Sequence, residues 1–337
     1  MSVFVAEELS EVLNTKVVIG RINMGLLNRI IIDDVLLDDQ SGQEMLKVTR
    51  LSAKFDIMPF FKGKISISSV QLFGFNINLR KETPDSPPNF KFVLDAFASK
   101  DTVKKENSLD LRINSILIRR GRMSYHVLSE EETPGKFNAK HIQLQNIIAN
   151  ISLKALSKDS LNLGIKRLSL DEKASGFSLK KMSLKLVANN KQTNIDNFTI
   201  ELPETSLKLD TIHLEYDSLK AFDRFTEQVH FSFRTLPSQV TLKDISPFVP
   251  ILSHFKEPVT LDMEVKGTVD QLTCSHLEIT ADDRQFRLRG DVSLQDLSRP
   301  QDAYVYGTLS ELSANTRGVG FLVRNLSPNY NGVPPLL

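Results

Sequence analysis

Cys274 is the single cysteine among 337 residues, so no disulfide can form within the chain. Large β proteins need no such staple, and its absence leaves the compartment open. Tryptophan is missing, and five tyrosines stand against twenty phenylalanines, so few aromatic positions carry a polar handle. No stretch reaches the roughly 18 consecutive apolar residues of a membrane-spanning helix. The start lacks the basic region, apolar run and small-residue cleavage site of a signal peptide. Neither charge is in excess: 42 Lys+Arg face 41 Asp+Glu. With no basic field and no basic stripe interleaved with aromatics, nucleic acid is not an expected partner.

Catalytic signatures are equally scarce. The six histidines (His126, His141, His213, His230, His254 and His276) are scattered singly, with no HExxH motif and no HxH pair. Cys274 and His276 would point to one face of a strand, but metals usually require three or four ligands with supporting partners. The break in alternation at Ser275-His276 instead makes His276 a solvated bulge residue. Asp33-Asp34 and Asp38-Asp39 lack the order of an EF-hand loop; the first pair reads as a solvated strand edge and the second as turn residues. Glu130 to Glu132, before Thr133-Pro-Gly135, reads as a solvated loop. Gly318-Val-Gly320 follows no convincing strand and lacks the third glycine of a dinucleotide loop. GxSxG and P-loop motifs are missing, so neither an enzyme nor a cofactor or metal site is expected.

What the chain has in abundance is one eight-residue pattern: apolar, any, apolar, two polar or small residues, apolar, any, apolar. It starts at Val17, Leu46, Ile65, Leu111, Ile142, Leu163, Phe177, Thr193, Leu207 and Leu272. Period-two alternation marks a half-buried strand. The two-residue interruption would send later side chains to the opposite face unless the backbone absorbs it. A β-bulge would absorb it and bend the strand; a crossover between two sheets is the alternative. The first predicts a trough and the second a sandwich. The fold class expected is mainly β, an elongated, curved antiparallel sheet with a few short helices and about twenty strands, too many to stay flat.

Five stretches are distinguished. Residues 1–14 form an amphipathic helix with Phe4, Val5, Leu9, Val12 and Leu13 on one face. Residues 15–82 are strand-rich, with a hairpin turn at Asp38 to Gly42. Residues 83–108 hold a proline-rich break and a short helix from Phe90 to Ser99, carrying Phe90, Val93, Leu94 and Phe97. Residues 109–218 read as a β meander. Residues 219–337 open with a helix at Leu219–Gln228 and a second capped at Ser246-Pro247, with Phe248, Ile251, Leu252 and Phe255 on one face; strands then resume from Val259 to Tyr306. Both ends read as cuts in a longer protein.

The ordered set Asn14 to Gly20, Leu26-Leu27, Ile31 to Gly42, Leu46-Lys-Val48, Phe55 to Phe61 and Ile65 to Leu72 resembles the amino-terminal region of AsmA-like proteins. The likeness is strongest to the TamB-like members, subunits of the translocation and assembly module. A second similarity runs from Val240 to Pro250 through Val265-Lys-Gly-Thr-Val269 to Phe286-Arg-Leu-Arg-Gly290, like the recurring internal units of that family. The resemblance implies a periplasmic protein of a two-membrane bacterium, anchored in the inner membrane by a helix that would precede Val3. It implies an apolar trough passing phospholipid toward the outer membrane, and an outer-membrane barrel partner contacted through a carboxy-terminal domain that this sequence lacks. The expected groove lining is the apolar face of the two clearest repeats, Ile65, Ile67, Val70, Leu72, Leu111, Ile113, Ile116 and Ile118. The rival expectation is a closed-core β scaffold for outer-membrane protein assembly that binds no lipid.

Overall fold

The computed structural model describes residues 2–26, 28–55, 67–98, 114–156, 160–281, 284–299 and 302–326. The fold is mainly β: 58% is strand and 16% helical, far above the 20–25% strand of an average globular domain. Among the described residues, seventeen strands of one mixed sheet carry it, with a few short helices. The chain divides into two compact units, Met1–Leu153 with Arg167–Ser178, and Lys154–Lys166 with Leu179–Leu337.

The first unit opens with helix α1 (Ser2–Leu13), which the amphipathic spacing predicts. Ser10 ties it to the first strand, accepting from Val17 N at 3.0 Å while its hydroxyl donates to Ala6 O at 2.7 Å. Strands β1 (Val17–Gly25), β2 (Arg29–Asp38), β3 (Glu44–Phe55) and β4 (Ile67–Lys81) pair antiparallel in sequence order. Asp39 closes the β2–β3 turn, its Oδ1 accepting from Ser41 N at 3.0 Å and Gln43 N at 3.1 Å, with Gly42 at φ 80°. Only glycine takes that backbone without strain.

The expectation of a wholly antiparallel sheet is corrected at the next strand. β5 (Ser115–Val127) runs parallel to β4, Ser69 opposite Ser115 through Lys81 opposite Val127. Residues 82–114 connect them and include helix α2 (Lys91–Ala98). A connection of that length and content permits a parallel crossover, which no tight turn allows. β6 (His141–Leu156) then pairs antiparallel with β5, and residues 167–172 of β7 (Ser160–Glu172) complete the strands of this unit.

The second unit is antiparallel in every pairing described. β8 (Ser178–Asn189) pairs with β9 (Gln192–Glu201). Two short strands, β10 (Ser206–Lys208) and β11 (Ile212–Glu215), share β9 end to end. β12 (His230–Arg234) and β13 (Ser238–Val240) likewise share β14 (Val259–Gly267). β15 (Gln271–Ala281), β16 (Phe286–Gln295) and β17 (Tyr304–Ala314) follow in order.

Helices in this unit depart from expectation. Leu219–Arg224 is a 3-10 segment running into a single α-turn, α3 (Phe225–Gln228). Ser246-Pro247 caps no helix: two 3-10 turns, Leu242–Ile245 and Pro250–His254, lie on either side of it. Pro250 has no N–H to donate to a longer helix and starts a new turn instead. Gly318-Val-Gly320 does follow a strand, β17, and lies inside helix α4 (Thr316–Leu326). Asn315 is its cap, Oδ1 accepting from Arg317 N and Gly318 N at 3.0 Å each. Phe321 is buried against Phe286 with ring centroids 5.6 Å apart.

Candidate functional site

The candidate site is the apolar face of the first unit, and its geometry turns on two-residue breaks in the alternation. Beside the breaks inside the sequence repeats, further ones that the repeats do not include lie at Asp33-Asp34 on β2, Phe73-Gly74 on β4 and Arg119-Arg120 on β5. The second residue of these pairs is left-handed: Asp34 at φ 58°, Gly74 at 64° and Arg120 at 55°. Asn146 on β6 at 55° and Asn197 on β9 at 54° repeat the device. A left-handed residue inserts the extra step that a bulge requires.

These insertions line up. Ile19 faces Val35 and Arg21 faces Asp33; Val35 faces Val48 and Asp33 faces Arg50; Val48 faces Phe75 and Arg50 faces Phe73. Gly20, Asp34, Thr49 and Gly74 therefore form a row across four strands, and the parallel register of β4 and β5 carries it on to Arg120. Since every strand slips at the same level, pairing resumes beyond the row with unchanged register. Close approach demands glycine there: a Cβ on Gly74 would lie 2.7 Å from Thr49 Oγ1, and one on Gly20 would lie 3.0 Å from Asp34 Cβ. Gly121 leaves room for the Phe75 ring in the same way. Between β5 and β6 the row becomes a mismatched bulge, Ile118 facing Ala149 and Gly121 facing Ile147, then Met123 facing Leu144.

The consequence is a single apolar face that continues on both sides of the slip. Val48, Phe75 and Ile147 are buried together, and Val35, Leu46, Leu51, Leu72, Ile77, Ile118, Met123, Leu144 and Leu170 pack against them half-buried. Leu46 and Val48 precede the slip of β3, and Leu51 follows it, yet all three meet in one cluster. In this unit the polar pair is a bulge and not a crossover between sheets. One end of the face is covered: α1 and α2 bring Ala6, Leu13, Phe92, Val93 and Ala96 against Val17, Ile19, Leu37 and Met45.

Of the expected lining residues, Ile65, Leu111 and Ile113 lie outside the described residues. Ile67, Val70, Leu72, Ile116 and Ile118 are all half-buried. The parallel register sets Val70 beside Ile116 and Leu72 beside Ile118, which brings four of them together. Ile67 faces Phe55 across a register shift at Lys54/Phe55, the slip that Ser68-Ser69 predicts. The Leu111 repeat predicts its slip at Asn114-Ser115, whereas β5 begins at Ser115 and slips at Arg119-Arg120.

Charged groups are held where the sheet turns or slips. Asp33 is no solvated edge residue. It sits buried on an internal strand, 2.6 Å from Arg50 Nε and 4.0 Å from Arg21. The Arg50 hydrogen bond lowers its carboxyl pKa against the opposing effect of burial. Asp39, also buried, pairs with Arg80 at 2.7 Å and accepts from Asn89 Nδ2 at 3.1 Å. Burial raises its pKa, but the hydrogen bonds from Ser41, Asn89 and Gln43 together outweigh that and leave it lowered. Glu172 follows the same balance: desolvation opposes ionisation, while Ser175, Gln143 N and Ala174 N hold the carboxylate charged.

Two sequence readings of possible ligand groups resolve differently. Cys274 is buried, its thiol pushed up by desolvation, and Sγ donates to His276 O at 3.2 Å. The exposed His276 sits at a bulge, with Glu264 facing His276 and Val265 facing Cys274. By contrast, His126 and His141 are not isolated: they face each other across β5 and β6 with Nδ1 atoms 3.0 Å apart. The signal available in sequence was position alone, one histidine on either side of the loop that joins β5 to β6. No protein-family model matches the chain, and no curated protein matches it.

Proposed function

We propose that the first unit binds lipid acyl chains along its half-buried apolar face, and that the protein acts as a passive lipid-transfer segment of the AsmA-like, TamB-like kind. The observation that carries this reading is that one strip of apolar side chains continues past the slips of β3, β4, β5 and β6 while most of its members are only partly buried. In a sandwich, a second sheet would cover the inner face, so the closed-core reading calls for those same side chains to be buried. Contiguous apolar surface left open usually marks a binding site. Acyl chains lying on the strip would gain about 0.8 kcal/mol per buried CH₂. A sixteen-carbon chain half covered would therefore gain roughly 6 kcal/mol. The proposal includes a periplasmic setting, an inner-membrane anchor, phospholipid as cargo and a barrel partner in the outer membrane; these rest on the sequence resemblance.

The test is native mass spectrometry and lipid extraction of the purified protein, together with uptake of a fluorescent acyl probe. Bound phospholipid and saturable probe uptake are expected. Leu72→Glu and Ile116→Glu should cut uptake about tenfold or more while leaving the fold intact. If both variants instead unfold, as buried unpaired charge would cause, or if the protein carries no lipid and takes up no probe, the open-face reading fails.

A further inference from the structure

We propose that His126, Glu132 and His141 form a binding site for a first-row divalent transition-metal ion of the zinc class. The site grows out of strand register. Val127 N donates to Lys140 O at 2.9 Å, so the adjacent pair His126–His141 occupies the non-hydrogen-bonded position of the β5–β6 ladder. That position brings opposite side chains closest, with Cα atoms about 4.5 Å apart. The rings are tilted by 52° with centroids 5.3 Å apart, so they do not stack; their Nδ1 atoms converge to 3.0 Å. Residues 128–140 loop out between the strands and return Glu132 to the same point, Oε1 lying 3.9 Å from His126 Nδ1. The three ligand atoms all fall within 4.8 Å of one another.

The surroundings prepare the histidines as ligands. His141 is buried, and its Nε2 lies 2.9 Å from Glu130 O. A carbonyl oxygen can only accept, so Nε2 bears the proton and Nδ1 presents its lone pair toward His126. This is the orienting contact that metal-bound histidines use. Glu130 is engaged by Lys140 at 2.6 Å, which leaves Glu132 to face the histidines. A direct hydrogen bond between the two rings would satisfy one proton and leave the carboxylate at 3.9 Å, beyond hydrogen-bond reach. One cation about 2.1 Å from each nitrogen would engage both rings, with the exposed Glu132 side chain swinging in to complete the set. Two nitrogens bound at a right angle would stand about 3.0 Å apart and at a tetrahedral angle about 3.4 Å, so the pair is close to either arrangement. Two imidazoles and a carboxylate, with water completing the shell, suit zinc better than calcium or magnesium, which prefer oxygen donors.

The experiment titrates Zn²⁺ into the intact protein against a chromophoric chelator and follows the histidine ring nitrogens by NMR. One equivalent should bind with a Kd below about 10 µM, shifting the Nδ1 resonances of His126 and His141. His126→Ala should weaken binding at least tenfold and Glu132→Gln several-fold, whereas His254→Ala should leave it unchanged. Both weakening substitutions are at partly or fully exposed side chains, and a β-sheet circular dichroism signal like that of the parent confirms folding. Should a variant fail to fold, the ring-nitrogen shifts of the parent protein decide. The proposal is overturned by the lack of tight binding, by binding indifferent to His126→Ala and Glu132→Gln, or by zinc uptake that leaves both Nδ1 signals unmoved.

Discussion

Asn197 shows the slip in its simplest form. It is exposed at φ 54° in the middle of β9, where the register shifts from Ser183 facing Thr199 to Lys185 facing Asp196. An L-residue held left-handed costs roughly 1–2 kcal/mol, least for Asn and Asp, and glycine escapes the cost. Asn197→Gly should therefore leave the urea midpoint nearly unchanged, while Asn197→Val lowers stability by about 1–2 kcal/mol. Equal midpoints for the two variants would mean that the slip does not rest on backbone handedness. Buried carboxylates make a second prediction at this scale. Asp39 and Glu172 both have lowered pKa values, so the unfolded chain takes up protons before the folded one does. Their stabilisation is complete above the ordinary carboxylate range near pH 4 and is lost as pH falls through their folded values. Urea midpoints measured from pH 7 down to pH 3 should fall, and the fall should be shallower in Asp39→Asn and Glu172→Gln. Those variants should also start lower at pH 7, because their donors lose a charged acceptor.

Among the elements, strands follow the repeat and helices follow their caps and prolines. The opening helix was legible because apolar residues recur with helical spacing, and Ser2–Leu13 forms accordingly. α4 was not, although Asn315 supplies a cap and Phe321 and Leu322 supply an apolar stripe; two glycines within the helix masked it. Phe321 is 5% exposed and packs with Ala281 and Phe286. Phe321→Ala should cost about 3 kcal/mol through the cavity it leaves, read as a lower urea midpoint, and should increase hydrogen exchange in residues 316–326. An unchanged midpoint would show that α4 does not contribute to the second unit's stability. The parallel β4–β5 pair was not legible in the sequence. Repeats in both strands look alike, and nothing local to either distinguishes a parallel neighbour from an antiparallel one.

For the whole molecule, near-balanced charge makes a distinct prediction about the proposed lipid binding. With 42 basic and 41 acidic residues, affinity should come from acyl-chain burial and not from attraction to headgroups. Probe uptake should change less than about twofold between 50 and 500 mM salt, since screening acts on exposed charges and not on apolar contact. A steep loss with salt would assign the affinity to charged groups and leave the apolar strip without its proposed role. Metal and lipid are predicted at different places of the same unit, one at the loop end of the β5–β6 hairpin and one on the apolar face. Zinc titration and probe uptake should each be unaffected by the variants that abolish the other.

Alternation with a two-residue slip was readable from the sequence alone, because side-chain direction along a strand depends only on neighbouring residues. It determined that the protein is mainly β and that each strand has an apolar face to hide. It also located most strands, the Asp38–Gly42 turn and the bulge at Ser275-His276. Tertiary structure alone decided that the slips align into a row, because alignment is a property of register between strands distant in sequence. It alone put β4 beside β5, made Asp33 a buried partner of Arg50, and set His126 opposite His141. Each of these depends on which of many similar strands pair, and similar apolar patterns provide nearly equal local energies for many pairings. Closure of the intervening loops and packing of the assembled face select among them, and neither is a property of any short stretch of chain.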